Sequence, residues 1–567
     1  MFRSFRRSLN SKKYLERTKD IDPDEIFIDS ENLPNFDVNQ FEGRLEKSIS
    51  RNTFIFFAFF CFLIFILFFY KSWNLQITEG DNYYQRSENN RLRNTLIFSK
   101  RGVVSDRKDR TLVWNILGDD SLGFSLRKYA TSTGLSHIMG YLKYPQKDKY
   151  GFYYNEDFVG KDGIEKFYNN ELAGENGLRI VEVDALNNKK SENTIRPPKD
   201  GKDIKLSIDS KLQGKLYDSI SDLSGRVGFT GGAGVIMDVN TGEILALTSF
   251  PEYDSQVMTD GTNKIAINNF LNNKNNPFLD RVTDGLYTPG SIVKPFMAVA
   301  ALCEKIIGQY DNILSTGALT IPNPYDPSKP TVFKDWKAHG YVDMRKAISV
   351  SSDVYFYEIG GGFESQEGLG IDRIKKYMTS FGFGENMSDG FFFGEKGVVP
   401  DREWKKNNFN GEDWLVGNTY HTSIGQYGFQ VTPIQVVRAI ASIANNGKII
   451  EPTIIYGDNN KKVNELPYDK SYYQIVREGM KISVEEGTAV GLKNDFFELG
   501  AKTGTAELGS RKQFVNSWVV GFFPYEKPKY AFAVIMEKGP VTNTLGGVFV
   551  MRQVFDWMRI YTPEYLI

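Results

Sequence analysis

Only two cysteines occur in 567 residues, Cys61 and Cys303, so the fold rests on no disulfide framework. Cys61 lies inside an apolar run, which excludes a bond to Cys303, and so low a count identifies no compartment. The chain also lacks a charge excess. Lys+Arg number 69 against 70 Asp+Glu, a net charge of −1, which leaves no basic surplus for a nucleic-acid partner. Internal repeats are absent too. What is present, 41% hydrophobic and 25% charged residues, is ordinary for globular domains. The length exceeds a single core and predicts two or three folded units.

Charge is missing altogether between Arg51 and Lys71, where FIFFAFFCFLIFILFFY fills residues 54–70. With Asn52, Thr53 and Trp73 it is long enough to cross a hydrocarbon core of about 30 Å as one helix. It sits too far from the N-terminus for a signal peptide, and no small-residue cleavage site follows. A core helix would show a polar face, and this run has none. The spacing predicts a transmembrane helix over 52–73. Arg3, Arg6, Arg7, Lys12, Lys13, Arg17 and Lys19 precede it, with Arg44, Lys47 and Arg51 nearer. The positive-inside rule then puts residues 1–51 in the cytoplasm, including the acidic stretch 20–31, and exports the rest.

Residues 75–115 show no long helical period and include the extended, charged RGVVSDR at 101–107. A helix is predicted over 164–172. The polar stretch 187–203, with Pro197-Pro198, reads as a linker, placing a boundary between a unit at 74–203 and one at 204–567. Beyond it, 204–208 reads as a strand and Asp209 as a helix cap. The runs 234–238 and 243–248 flank Val239-Asn240-Thr241-Gly242, a hairpin signal. Thr432-Pro433-Ile434-Gln435 is a capping box with Pro at the first helical position. The runs 515–523 and 530–537 are two more strands. Strands at both ends with helices between predict an α+β fold with an antiparallel sheet.

Three short motifs carry the chemistry. In Ser291-Ile292-Val293-Lys294, entered by Pro289-Gly290, spacing i, i+3 puts hydroxyl and amine on one helix face. A serine needs a base within reach, and a desolvated lysine near other cations can serve. Alone the pattern is weak, expected by chance about once or twice in a chain this long. Ser351-Ser352-Asp353 reads alone as a helix N-cap. Lys502-Thr503-Gly504-Thr505 reads as a strand whose glycine admits close approach by a ligand. Together they stand in order, sixty and then 151 residues apart, each in its expected local context. S-x-x-K, an S-D-N-type triplet and K-T-G form the signature of penicillin-binding proteins and class A β-lactamases.

The chain therefore resembles a class B penicillin-binding protein over nearly everything after residue 50. The stretches 234–254, 286–296, 347–360, 425–449, 502–509 and 101–107 carry the likeness. The resemblance implies a membrane anchor, an extended β-rich pedestal and a D,D-transpeptidase domain, with no glycan-polymerising domain. Trp336, His339-Gly340 and Asp353, where division-type members have Asn, are similar to the elongation group, penicillin-binding protein 2. The implied roles are Ser291 as nucleophile on a D-Ala-D-Ala stem peptide and Lys294 as general base. Ser351 relays a proton, Asp353 contacts the donor peptide, and Lys502 keeps the field positive. Thr503 and Thr505 hold the substrate carboxylate, Gly504 lies between them, and the N–H groups of Ser291 and Thr505 form the oxyanion hole. Implied partners are β-lactams, a SEDS-type glycan polymerase and other elongation-machinery membrane proteins. No cofactor is implied. Some relatives bind zinc beside this region, but here no cysteine accompanies His339, so no metal is expected and His339 reads as structural.

Two other functions fit parts of the pattern. A membrane-bound serine β-lactamase or β-lactam sensor would need a water-activating base such as Glu395 or Glu412. A chiefly non-catalytic activator of a polymerase would not need intact motifs. Asp353 is acceptor-only where an amide is commoner, which predicts that it receives an N–H, or a cationic group, from the donor peptide.

Overall fold

The computed structural model describes residues 50–118, 122–149, 153–183, 189–323, 326, 328–387, 390–458, 462–509 and 511–567. The expected cytoplasmic tail, with its basic and acidic stretches, lies outside the described residues.

The described residues up to Leu92 form one unit and those from Arg93 to Ile567 another. In the first, helix α1 (Arg51–Trp73) is apolar all round, buries none of its residues and is capped by the Ser50 hydroxyl. Among the described residues it belongs to the one helix long and apolar enough to cross a membrane. The reading of 75–115 as lacking a long helix fails over 80–91. A π-turn at Asn74–Thr78 leads into α2 (Gly80–Arg91). The sequence GDNYYQRSENNR is polar on every face, so it has no apolar period to read.

The second unit opens within strand β1 (Leu92–Ile97), which lies beside β5 (Gly177–Val183), itself paired with β6 (Lys189–Arg196). Strand β6 corrects the linker predicted over 187–203. It pairs antiparallel with β5, Asn193 opposite Ile180. All its side chains are exposed, so backbone pairing decides the strand and no alternation betrays it. A four-stranded sheet joins β7 (Ile204–Lys205), β2 (Val104–Ser105), β3 (Thr111–Ile116) and β4 (Leu126–Tyr129) in that order. The helix expected over 164–172 is present as two short pieces, Gly163–Phe167 and Asn169–Ala173.

Next, Asp209 caps α3 (Ser210–Val227) by accepting from the Lys211 N–H at 3.1 Å. The hairpin β8 (Gly231–Asp238) and β9 (Ile244–Phe250) turns where predicted, and Gly242 alone takes the left-handed backbone, φ 80°. These strands join β12 (Tyr530–Pro540), β11 (Phe514–Phe523) and β10 (Gly500–Leu508) in one antiparallel sheet, ordered β9-β8-β12-β11-β10. The fold is α+β as expected. One face is covered by α3 and the C-terminal helix Gly547–Tyr561, where Leu216, Ile220, Val554 and Phe555 pack with Ile236 and Val534. The other face carries the helices that hold the first two motifs, and β10, an edge strand, carries the third beside them.

Candidate active site

The site begins with a glycine. Gly290 has φ 57° and donates its N–H to the Gly425 carbonyl at 2.9 Å. It opens a 3₁₀ turn, Gly290–Val293, that runs into α4 (Lys294–Cys303), with Pro295 in the first turn. Ser291 is half-buried in that turn, while Lys294 one turn on is fully buried.

The Lys294 amine meets three acceptors. Nζ donates to the Ser351 carbonyl at 2.8 Å, to Ser351 Oγ at 3.2 Å and to Asp353 Oδ1 at 2.6 Å. Three acceptors match the three protons of an ammonium. The Phe356 ring, 5.4 Å away, lies beneath the charge.

The second motif bends between two helices. Ser351 ends α5 (Met344–Val350) in the left-handed conformation, φ 59° and ψ 41°. A non-glycine residue there is strained and persists only where surroundings enforce it. That bend turns both its oxygens toward Lys294. Ser352 is the N-cap of α6 (Asp353–Gly361), so the capping reading holds for the middle residue of the motif, between two neighbours that reach Lys294.

Sequence reasoning missed the residue that holds this bend. Asp335, its side chain fully buried, accepts from Ser352 Oγ (2.9 Å), the Val354 N–H (3.0 Å), Ser315 Oγ (3.2 Å) and the Trp336 N–H (2.8 Å). The signal was adjacent: Trp336 and His339 stood out while the carboxylate beside them did not. His339 Nε2 is 3.5 Å from Asp335 Oδ1, and its ring meets Trp336 edge-on. Burial holds the imidazole pKa below its ordinary value.

The third motif lies on β10. Lys502 is fully buried and donates to Ser351 Oγ and to the Thr503 carbonyl, both at 2.8 Å. Burial, reinforced by the Lys294 charge and opposed by Asp353, drives its pKa well below that of an ordinary lysine. Gly504 is required by a contact within the chain. A Cβ there would fall 2.9 Å from the Pro289 carbonyl and the Ile292 side chain. The turn that carries Ser291 is enough by itself to demand the glycine. On the other side of that contact, a Cβ on Gly290 would lie 3.1 Å from the Thr505 carbonyl. Thr505 is exposed and Thr503 half-buried. Lys294, Ser351, Asp353 and Lys502 thus form one hydrogen-bonded cluster, with the Ser291 turn packed against the strand that carries Lys502, Gly504 and Thr505.

Residues 232–551 match the penicillin binding protein transpeptidase domain family. The chain belongs to that family. Residues 124–206 also match the penicillin-binding protein dimerisation domain. Among curated relatives, the peptidoglycan D,D-transpeptidase MrdA of Haemophilus influenzae is 31% identical over 454 residues, 72% of this chain and 66% of that protein. MrdA of Salmonella typhimurium is 30% identical over 481 residues, 77% of this chain and 73% of that protein. A penicillin-binding protein 2 from Helicobacter pylori, solved in complex with MreC, superposes with a TM-score of 0.68 at 26% identity. That match covers 83% of this chain and 99% of the Helicobacter chain. This penicillin-binding protein is a serine-type transpeptidase and has, among its described residues, one apolar helix of membrane-spanning length.

Proposed function

We propose that the chain crosslinks peptidoglycan stem peptides as a D,D-transpeptidase of the elongation group, with Ser291 acylated by the penultimate D-Ala. The observation that carries this reading is the Lys294–Ser351–Asp353–Lys502 cluster beside the Ser291 turn. Lys294 is the base, but as an ammonium it has first to lose a proton. Ser351 Oγ lies 3.2 Å from Lys294 and 2.8 Å from Lys502, which provides the route. Lys502, driven toward the neutral amine, receives that proton as Ser351 passes on its own. A substrate carboxylate arriving at Thr503 and Thr505 favours the new charge on Lys502. Neutral Lys294 then takes the Ser291 proton while Oγ attacks the D-Ala carbonyl. The tetrahedral oxyanion lies on the Ser291 and Thr505 N–H groups. Collapse expels the terminal D-Ala amine, protonated by the amine that took the Ser291 proton, and a second stem-peptide amine resolves the ester.

The same chemistry makes β-lactams suicide acylators. Full-length protein incubated with a β-lactam should gain the mass of one drug, on the peptide containing Ser291. A label on any other serine would overturn the assignment. Hydrolysis as the main activity is disfavoured by the acids available. Glu412 is exposed and pairs with Lys405 at 3.5 Å, and Glu395 is exposed.

Asp353 takes a revised role. Its Oδ1 is engaged by Lys294, so it tunes the base as well as facing the cleft, where 18% of its side chain is exposed. Asp353→Asn should therefore slow β-lactam acylation and peptide crosslinking together, by about tenfold for one charge-assisted bond. Loss confined to the peptide would restore the pure recognition role.

The family likeness supports the remaining assignments: a pedestal over 74–203, the transpeptidase domain over 204–567, a cytoplasmic N-terminus and an exported catalytic side. Partners of the elongation machinery, among them a SEDS-type glycan polymerase, follow from the same likeness, and the Helicobacter relative's complex with MreC supports a protein partner.

A further inference from the structure

Thr503 does not present a free hydroxyl. Its Oγ1 donates to Thr488 Oγ1 at 2.7 Å. A hydroxyl carries one proton, so Thr503 in this state has none to give to a carboxylate. Thr488 has its own proton, whose other neighbour is Ser483 Oγ, at a long 3.4 Å. Turning that proton toward Thr503 gives up little and frees the Thr503 proton for a ligand.

The backbone around Thr488 is held rigidly enough for this. Its N–H donates to the Ser349 carbonyl at 3.2 Å, two residues before Ser351. The preceding Gly487 lets the segment press against α5, since a Cβ there would come within 2.4 Å of the same carbonyl. The Ala489 N–H is tied to the Ser483 carbonyl at 3.0 Å, closing the segment on the end of α7 (Lys470–Glu485). Thr488 therefore touches the strand of Lys502 through its side chain and the helix that ends at Ser351 through its backbone. It links two of the three motifs and belongs to none.

We propose that Thr488 is a positioning residue for recognition of the substrate carboxylate: it switches from acceptor to donor toward Thr503 when the carboxylate binds, so that Thr503 donates to the ligand. Two hydroxyls rotate and no proton enters or leaves the site. The proposal rests on the reading of Thr503 as a carboxylate ligand, and its test separates the two.

The test measures acylation of the full-length chain in detergent by benzylpenicillin and by its methyl ester, over a range of concentrations. Wild type should prefer the acid. Thr488→Val keeps the shape and removes the hydroxyl. It should lower kcat/KM-type acylation by the acid about tenfold, the worth of one hydrogen bond to a charged group, and that by the ester by less than about twofold. The loss should lie in apparent binding and leave the limiting acylation rate in place. Thr488→Ser, which restores the hydroxyl, should recover the preference for the acid. Equal losses on acid and ester, an undiminished preference in Thr488→Val, or a Thr488→Ser variant that behaves like valine would each overturn the role of Thr488. If wild type itself treats acid and ester alike, the assignment of Thr503 to the carboxylate falls, and this proposal with it.

Discussion

Lys294→Ala should slow β-lactam acylation by about a hundredfold to ten-thousandfold, the usual worth of a positioned base. Lys294→Arg should do no better. Guanidinium stays protonated, so it cannot take the Ser291 proton, and its planar fork does not fit a buried point charge surrounded by three acceptors. The two variants differ in what they leave behind. Alanine strands the Ser351 carbonyl and the Asp353 carboxylate, which should cost about 1–3 kcal/mol of stability, since buried acceptors then lack a donor. Arginine keeps the charge near Asp353 and should lose less from that source. Acylation measured with a fluorescent penicillin, beside urea unfolding of the same samples, checks both. Acylation of Lys294→Ala within about tenfold of wild type would assign the base elsewhere, with Lys502 acting through Ser351 as the candidate.

The parts of this site that were legible in the sequence are those whose chemistry needs neighbours in the chain. Ser291 and Lys294 share a helix face because they are three apart, and Lys502, Gly504 and Thr505 ride on one strand. Local turn chemistry was equally readable: the Asn-Thr-Gly hairpin, the Asp209 cap and the Thr432–Gln435 capping box are all present. What could not be read depends on tertiary approach. Asp335 precedes Ser351 by sixteen residues and Thr488 precedes Lys502 by fourteen, and neither sits in a pattern. Gly504 was recognised as special, yet its neighbour is a turn more than two hundred residues earlier. Strand β6 and helix α2 escaped for a simpler reason: the strand buries none of its side chains and the helix sequence is polar throughout, so their backbone hydrogen bonds leave no hydrophobic period behind.

Asp335→Ala should destabilise the protein by about 3 kcal/mol or more and disable acylation as well, although Asp335 has no bond to Ser291, Lys294 or Lys502 among the described residues. Its carboxylate is the common acceptor for four donors, two of which belong to the bend of the second motif: Ser352 Oγ and the Val354 N–H. Those two bonds pin the first turn of α6, and Asp353, which reaches Lys294 at 2.6 Å, lies between them. With the carboxylate gone, buried donors lose their partner, and the left-handed backbone at Ser351 loses part of what enforces it. The bend relaxes, and the Lys294–Ser351–Lys502 spacing relaxes with it. Asp335→Asn keeps one acceptor oxygen for Ser352 and Val354, but turns an amide N–H toward the Trp336 N–H. It should lie between wild type and alanine in both measurements. A double-mutant cycle with Ser352→Ala makes the argument quantitative. The two residues share a 2.9 Å bond, so their effects on unfolding should be non-additive by about 1–2 kcal/mol. Additive effects, or an Asp335→Ala protein that unfolds and acylates as wild type does, would show that the bend is held by something other than this carboxylate.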